Sequence, residues 1–315
     1  MTLLRDLFRK PWLWSFVAAF LVWLATMAFT GGKGGGELMS AALTFATFFV
    51  IVGIGQMFVV TLGPGNVDLS IPATMTLAGS VAMKLMDTQD SMIIVGLGVA
   101  LLIGVAVGIF NYVLILGLRI PPIIATLSSS FVILSAAIAY GRGLRIKPPP
   151  LLAEFTTVQV LGVPVLAIAV VILAAVMGVV LHRTIYGRSV TAIGQSIRAA
   201  GFAGIPVERV RFLTYVLSAV LAALCGYLFS GFSGGSSLSM GEQYLLASIA
   251  VVVIGGTSVA GGNGNLPGLW GAALFLFLVQ SMLNTYQLSA GLRYLATGLI
   301  IIAVITAAGG QKTLR

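Results

Sequence analysis

The chain has 315 residues, 59% of them hydrophobic and only 8% charged, with a mean hydropathy of +1.10. Soluble domains carry roughly 25% charged residues, so an ordinary water-soluble fold is excluded. The formal net charge of +9 invites a nucleic-acid reading, but the basic residues are scattered between apolar runs, where membrane topology accounts for them and no nucleic-acid partner is implied.

Runs long enough to cross a bilayer, about 20 residues each, recur along the whole length. They read as one all-α polytopic membrane domain over residues 1–315, embedded in the lipid bilayer. Ten spans are expected, at residues 12–29, 41–62, 71–86, 92–116, 123–140, 163–181, 212–232, 244–254, 266–284 and 292–308. The first follows Arg5, Arg9 and Lys10 as a signal peptide would, but lacks a small-x-small cleavage site and reads as an uncleaved span. "GGKGGGE" after it reads as a flexible loop. An even number of spans puts both termini on one side. With that side cytoplasmic, Arg5, Arg9, Lys10, Arg119, Arg183, Arg188, Arg198, Arg209, Arg211, Lys312 and Arg315 fall inside. Lys33, Lys84, Arg142, Arg145, Lys147 and Arg293 fall outside, the asymmetry that the positive-inside rule requires.

Between the second and third spans stands "TLGPGNVDLS", with glycines, a proline, an asparagine and a carboxylate at membrane depth. Irregular backbone survives there only against protein or a watery cavity, and a buried aspartate costs at least a few kcal/mol. Asp68 is placed to accept N–H groups near Ser70 and Ile71 at the start of the next helix, with Pro72 in its first turn. A second break, "IGGTSVAGGNGNLPG", follows residue 253. Broken helices are therefore expected near 61–72 and 254–268. Two such breaks in corresponding places of two halves, about 41–140 and 212–308, point to a transport route. In "GVAVGIFN", Gly104 and Gly108 permit close helix packing. Asn111, on nearly the same face, either bonds to a neighbouring helix or contacts the route.

Two connections are long. Residues 140–164 carry a triple proline and would face outside. Residues 182–211 carry five arginines with helix-compatible stretches broken at Gly201, Gly204 and Pro206, and would face the cytoplasm. They read either as a solvated connector or as a short surface helix docking on a cytoplasmic partner. Cys225 reads as a packing residue and His182 as a solvated one. There is no Gly-x4-Gly-Lys-Ser/Thr nucleotide loop and no Cys/His cluster for a metal. Apart from Asp68, no ionisable residue lies deep in a span, where an ion-driven carrier needs one. A transporter without an ATP site or an ion relay implies an ATPase partner.

Four stretches, in order, carry a family resemblance. "GPGNVDLSIP" matches a Gly-Gly-Ile-Asp-Leu-Ser-Val-Gly motif through Asp68, Leu69 and Ser70. "GIFNYVLILGLRIPPIIATL" matches an Asn-Gly…Ile-Pro-Pro-Phe-Ile-x-Thr-Leu segment. "AIGQSIRAAGFAGIPVERVR" looks like a cytoplasmic coupling loop, through Ala199, Ala200, Gly204 and Ile205. "AVVVIGGTSVAGGNGNLPG" is similar to a Val-Val-Ile-Gly-Gly-Thr-Ser-x-x-Gly-Gly-x-Gly block. The sequence resembles the permease subunits of bacterial ribose-type monosaccharide ATP-binding-cassette importers. The resemblance implies about ten helices per subunit, a second permease copy or sister permease, and an external (periplasmic) sugar-binding protein. It also implies ABC ATPase subunits that bind ATP and magnesium, this chain binding no cofactor or metal and having no enzyme activity. The location implied is the bacterial inner membrane.

On this resemblance the pathway candidates are Asn66, Asp68, Ser70, Asn111, Tyr112, Thr257 and Ser258. The coupling candidates are Gly187 and Arg188, which would set up the loop, with Arg198, Ala199, Ala200, Gly204 and Ile205 at the ATPase surface. Three departures stand out: Asn66 after Pro64-Gly65, Tyr112 where a glycine is usual, and Ile197-Arg198 where acidic residues are common. The competing reading is a ten-span secondary carrier of the drug/metabolite type, whose transport would follow a proton gradient.

Overall fold

The computed structural model describes residues 11–141, 147–287 and 289–308; Arg5, Arg9, Lys10, Arg142, Arg145, Lys312 and Arg315, which enter the orientation argument, lie outside them. The helices are α1 (Pro11–Phe29), α2 (Gly35–Thr61), α3 (Ile71–Met86), α4 (Ile93–Gly117), α5 (Pro122–Gly141) and α6 (Pro150–Thr157). A two-stranded antiparallel hairpin, β1 (Gln159–Val160) and β2 (Val163–Pro164), precedes α7 (Val165–Arg183). Then come α8 (Ile185–Gln195), α9 (Ile197–Phe202), α10 (Val207–Phe232), α11 (Tyr244–Ile254), α12 (Leu266–Thr285) and α13 (Ala290–Ala308).

The ten expected spans correspond to α1 to α5, α7 and α10 to α13. Among the described residues, seven helices are long and apolar enough to cross a membrane, and α3 and α11 are shorter apolar helices. Helices α6, α8 and α9 are additional, folded within the two long connections. Three boundaries differ from the expected ones, α10 by beginning at Val207 where the expected span begins at 212. The "GGE" of the glycine loop already belongs to α2, where the Gly35 carbonyl accepts the Trp23 Nε1–H at 3.2 Å. Residues 163 and 164 form a strand, because the Leu161-Gly162 turn folds the apolar run back before α7 begins.

Helices α2 and α10 form the centre. Helix α2 is apolar on every side beyond residue 46 and is buried on every side. It packs on α10, α11, α12 and α7, whereas α10 packs on α2, α3 and α4. Helix α1 lies along α12, and α5 lies along α3. Each central helix thus leads into a short helix: α2 into α3 across 62–70, and α10 into α11 across 233–243. In element order the counterpart of the first break is therefore 233–243. The second glycine-rich break, after α11, lies instead at the same end of the bundle as the first. The cause is the alternation of helix direction, which brings the end of α2 and the start of α12 together.

Small residues set the distance between α4 and α10. A methyl group on Gly104 would lie 2.7 Å from the Val220 Cα, and one on Gly108 would lie 2.5 Å from the Val216 Cα. The backbones touch there, as a small-xxx-small spacing allows. On the same helix, Gly98 has nothing within 4 Å of such a methyl. Gly108→Ala is expected to lower stability by about 1–2 kcal/mol through overpacking. Gly98→Ala should be neutral or slightly stabilising. Thermal melts of the two purified variants in one detergent check the contrast.

Candidate functional site

Helix α2 ends with the Leu62 and Gly63 N–H groups bonded back to the Val59 and Val60 carbonyls, both at 3.1 Å. The chain then doubles back beside α2. The Asp68 N–H donates to Gln56 Oε1 at 3.2 Å, about 8 Å back from the end of α2 at 1.5 Å per residue. This re-entrant segment carries backbone groups that no helix satisfies, so side chains of α2, of α5 and of the segment itself do so. Thr126 Oγ1 on α5 accepts the Leu69 N–H at 3.0 Å and lies 3.2 Å from the Val67 carbonyl. Asn66 Nδ2 donates to the Gly63 carbonyl at 3.1 Å, and Asn66 Oδ1 accepts the Tyr215 hydroxyl, also at 3.1 Å.

Asp68 is the hub. Its Oδ1 accepts the Ser70 N–H at 3.0 Å and the Ser70 hydroxyl at 2.6 Å, and its Oδ2 accepts the Ser218 hydroxyl of α10 at 2.7 Å. Of the N–H groups expected to meet Asp68 at the start of α3, that of Ser70 does so; the second carboxylate oxygen turns to α10. The chain of bonds continues from Asn111 Nδ2 to Ser70 Oγ at 2.8 Å, and from the Ser129 hydroxyl to Asn111 Oδ1. Asn111 therefore realises its interhelical option, joining α4, α5 and the start of α3. Gln56 Nε2 has no partner among the described residues, one donor short of complete satisfaction. Asp68 is 1% exposed, and Ser70 and Asn111 are completely buried. Within a single chain the knot is closed, and its chemistry is that of an anchor that pins α2, α3, α4, α5 and α10 around one loop.

Tyr112 lies beside this knot on α4. Its hydroxyl donates to the Glu208 carboxylate and lies 2.9 Å from the Glu208 carbonyl, at the start of α10. Arg211 Nη1 stands 3.5 Å from the same carboxylate. The Tyr112 ring packs edge-on against Phe212 at 5.6 Å and tilted against Tyr215 at 6.2 Å. The bulk that replaces the family's usual glycine thus ties α4 to α10. Tyr112→Phe keeps the ring contacts and gives up the bond to the exposed Glu208 carboxylate, so a loss of about 1 kcal/mol or less is expected. A thermal melt beside that of Glu208→Gln checks it: both variants should lose stability, and the double variant should lose less than the sum.

A second feature is a joint made of three glycine-rich segments. The last carbonyl of α2, on Thr61, lacks an intrahelical donor and accepts the Gly262 N–H of the second break at 2.9 Å. Gly194, at the end of α8, closes the third side. A methyl group there would lie 1.9 Å from the Thr61 oxygen and 2.3 Å from the Gly262 nitrogen. Thr257 Oγ1 accepts the Asn265 N–H at 3.1 Å, the Ser258 N–H donates to the Asn263 carbonyl at 3.0 Å, and Asn265 Oδ1 caps α12. Thr257 and Ser258 shape the second break and do not join the Asp68 knot.

From this joint the 182–211 segment projects as α8 and α9. Gly187 lies on the end of α7, where a methyl group would meet the Val180 oxygen at 2.2 Å. Arg188 donates to the Arg183 and Thr184 carbonyls at 3.3 and 3.4 Å, capping α7. Tyr186 and Thr214 share a 2.8 Å hydrogen bond, and burial pushes the Tyr186 phenol up to about 12. Ser196 caps α9 through the Ala199 N–H. Gly204 has φ +78, and the Ile205 N–H returns to the Ala200 carbonyl at 3.0 Å. Arg198, Ala199 and Gly204 are exposed, but Ala200 is buried against this chain, so its small side chain serves internal packing. Ile185 is 82% exposed and Phe202 is 93% exposed.

The structure therefore gathers Asn66, Asp68, Ser70 and Asn111 into one network with Tyr112 at its edge. It adds Gln56, Thr126, Ser129 and Ser218, which sequence reasoning did not single out. Gln56 carried a usable signal as an amide inside an apolar run; the three hydroxyl residues carried none.

The family described as "Branched-chain amino acid transport system / permease component" matches residues 38–305. The Autoinducer 2 import system permease protein LsrC of Enterobacter sp. (strain 638) is 31% identical over 280 residues, covering 86% of this chain and 81% of that protein. The Ribose import permease protein RbsC of Bacillus subtilis (strain 168) is 31% identical over 259 residues, covering 81% of this chain and 79% of its own. That of Haemophilus influenzae (strain ATCC 51907 / DSM 11121 / KW20 / Rd) is 29% identical over 262 residues, covering 82% and 80%. No solved structure matches the chain. With the match running through the break, the α8–α9 segment and the second break alike, the chain belongs to this permease family: it is an integral membrane transport subunit and not an enzyme.

Proposed function

We propose that this chain forms, with a second copy or a sister permease, the route for a monosaccharide or similar small polar solute into the cytoplasm. An external binding protein delivers the solute. ABC ATPase subunits, binding ATP and magnesium that this chain does not bind, dock on α8 and α9. Both termini then lie in the cytoplasm and the protein resides in the bacterial inner membrane.

The observation that carries the reading is the α8–α9 surface. Phe202 and Ile185 stand nearly free of their own chain beside exposed Arg188 and Arg198, and exposed apolar side chains grouped with charge mark a protein contact. The same segment touches the ends of α2 and α12 through the Gly194 joint. Closure of two ATPases would therefore move both broken regions together, by the differential affinity of the closed pair for one state. The knot keeps the re-entrant loop and the five helices around it moving as one piece. Because Asp68, Ser70 and Asn111 are enclosed in a single subunit, a solute would meet this chain on a face shared with the second subunit. Exposed Ser128 and Ser135 on α5 supply hydroxyls on such a face.

Reconstitution in proteoliposomes with the ATPase and binding protein tests the proposal. Uptake of labelled monosaccharide should require ATP and both partners and should disappear in Phe202→Asp, with the permease still in the membrane. Uptake driven by a proton gradient without an ATPase would establish the carrier reading instead.

A further inference from the structure

The connection between α6 and α7 contains a hairpin whose composition contradicts its place in the fold. Val160 pairs with Val163 and Gln159 with Pro164, and the Val165 N–H closes the base on the Val158 carbonyl at 3.1 Å. The two turn residues, Leu161 at φ +52 and Gly162 at φ +77, make a left-handed two-residue turn. Its first position ordinarily takes Asn, Asp or Gly. Here it holds a leucine that is 100% exposed, flanked by Val160 at 54%. A water-facing turn would gain from a polar residue in both conformation and solvation, so the leucine points to an apolar surrounding.

The neighbouring sequence and surface agree. No charged residue or histidine occurs from residue 155 to residue 181. The hairpin leads directly into α7, whose Ile168, Val171 and Ile172 face outward. Val163 of β2 lines one apolar groove of about 440 Å³ with Ile168 and Val171 of α7, Phe16 of α1 and Trp270 of α12. The lipid-facing surface of the span thus runs without interruption into the hairpin.

We infer that the β1–β2 hairpin is an interfacial anchor. Leu161 and Val160 enter the acyl region of the leaflet opposite α8–α9, and lipid chains fill the groove below. Such an anchor fixes the height and tilt of α7, the helix that ends at α8, by the mechanism through which apolar side chains hold peripheral segments in a bilayer. The leaflet is the outer one on the orientation proposed above, but the insertion itself does not depend on that orientation.

Site-directed spin labelling of the full-length chain in lipid nanodiscs tests this. Leu161→Cys and, separately, Val160→Cys are labelled; Cys225 is completely buried and stays unlabelled, as the parent chain verifies. Lys147→Cys, exposed on the connection before α6, is the aqueous reference. At 160 and 161, relaxation by oxygen, which concentrates in lipid, should exceed relaxation by a water-soluble nickel chelate, with the reverse order at 147. Adding the external binding protein should leave these values unchanged. Nickel-dominated relaxation at both hairpin positions overturns the inference, since the tip then lies in water. So does low accessibility to both reagents, or protection only when the binding protein or a second permease is present, since a protein then covers the tip. ATP-dependent uptake in the same variants is read separately, so that failure of the anchor is distinguishable from failure of the transport assignment.

Discussion

A single methyl group at position 194 is expected to abolish ATP-driven uptake and to cost about 3 kcal/mol of stability. The alanine Cβ would stand 1.9 Å from the Thr61 oxygen and 2.3 Å from the Gly262 nitrogen, atoms that are themselves donor and acceptor of a 2.9 Å hydrogen bond. The methyl therefore enters the path of that bond. Both neighbours are backbone, so no rotamer change relieves the clash. Overpacking contributes about 1–3 kcal/mol, and leaving the last carbonyl of α2 and a buried N–H without partners adds a comparable amount. Gly201→Ala, on α9 with nothing within 4 Å of the new methyl, is the matched control for stability and should melt as the parent does. Equal melting of Gly194→Ala and the parent would remove the joint from the account; a stable but transport-dead variant would isolate its role in coupling.

The joint also shows what could be read from the sequence and what could not. The irregularity of 61–70 and of 254–268 was legible because glycine, proline and aspartate contrast with the apolar runs around them. That the two breaks meet each other and Gly194 was not legible, since it depends on which helix ends the bundle gathers at one side. Helices at the ten expected positions followed from the apolar runs alone; among the described residues seven of them are long and apolar enough to cross a membrane. The hairpin at 159–164 did not, because an apolar run looks the same whether it enters a short strand or a helix. Asn111 announced itself as an amide in a helix, and Gln56 carried the same signal inside the expected span 41–62. Thr126, Ser129 and Ser218 gave no warning. Serine and threonine commonly bond back to their own helix, as Thr126 does to the Pro122 carbonyl at 2.9 Å, so residue type alone does not disclose a second partner. Ala200 illustrates the converse: a small residue in the coupling segment reads equally well as a contact surface or as packing, and its burial decides for packing.

Asp68→Ala is expected to cost about 2–4 kcal/mol, whereas Asp68→Asn should cost about 1 kcal/mol or less. Interhelical hydrogen bonds inside membranes average only about 0.6 kcal/mol each, so a single lost bond would scarcely register. Alanine does more than remove one bond. It strands the Ser70 N–H, the Ser70 hydroxyl and the Ser218 hydroxyl together in a closed interior, where each unpaired donor costs about 1–3 kcal/mol before the hydroxyls rotate to other acceptors. Asparagine preserves the pattern: its Oδ1 keeps both Ser70 donors, and its Nδ2 can donate to Ser218 Oγ. Melting temperatures of the two variants, with Ser218→Ala as a third, measure the difference directly. The knot predicts that alanine is much the worse and that Ser218→Ala adds little once Asp68 is gone, because both remove the same link to α10. If alanine and asparagine prove equally mild, the carboxylate does not hold the loop. Equally severe losses in both would mean that the negative charge itself, rather than the acceptor geometry, anchors α3 and α10 around the re-entrant chain.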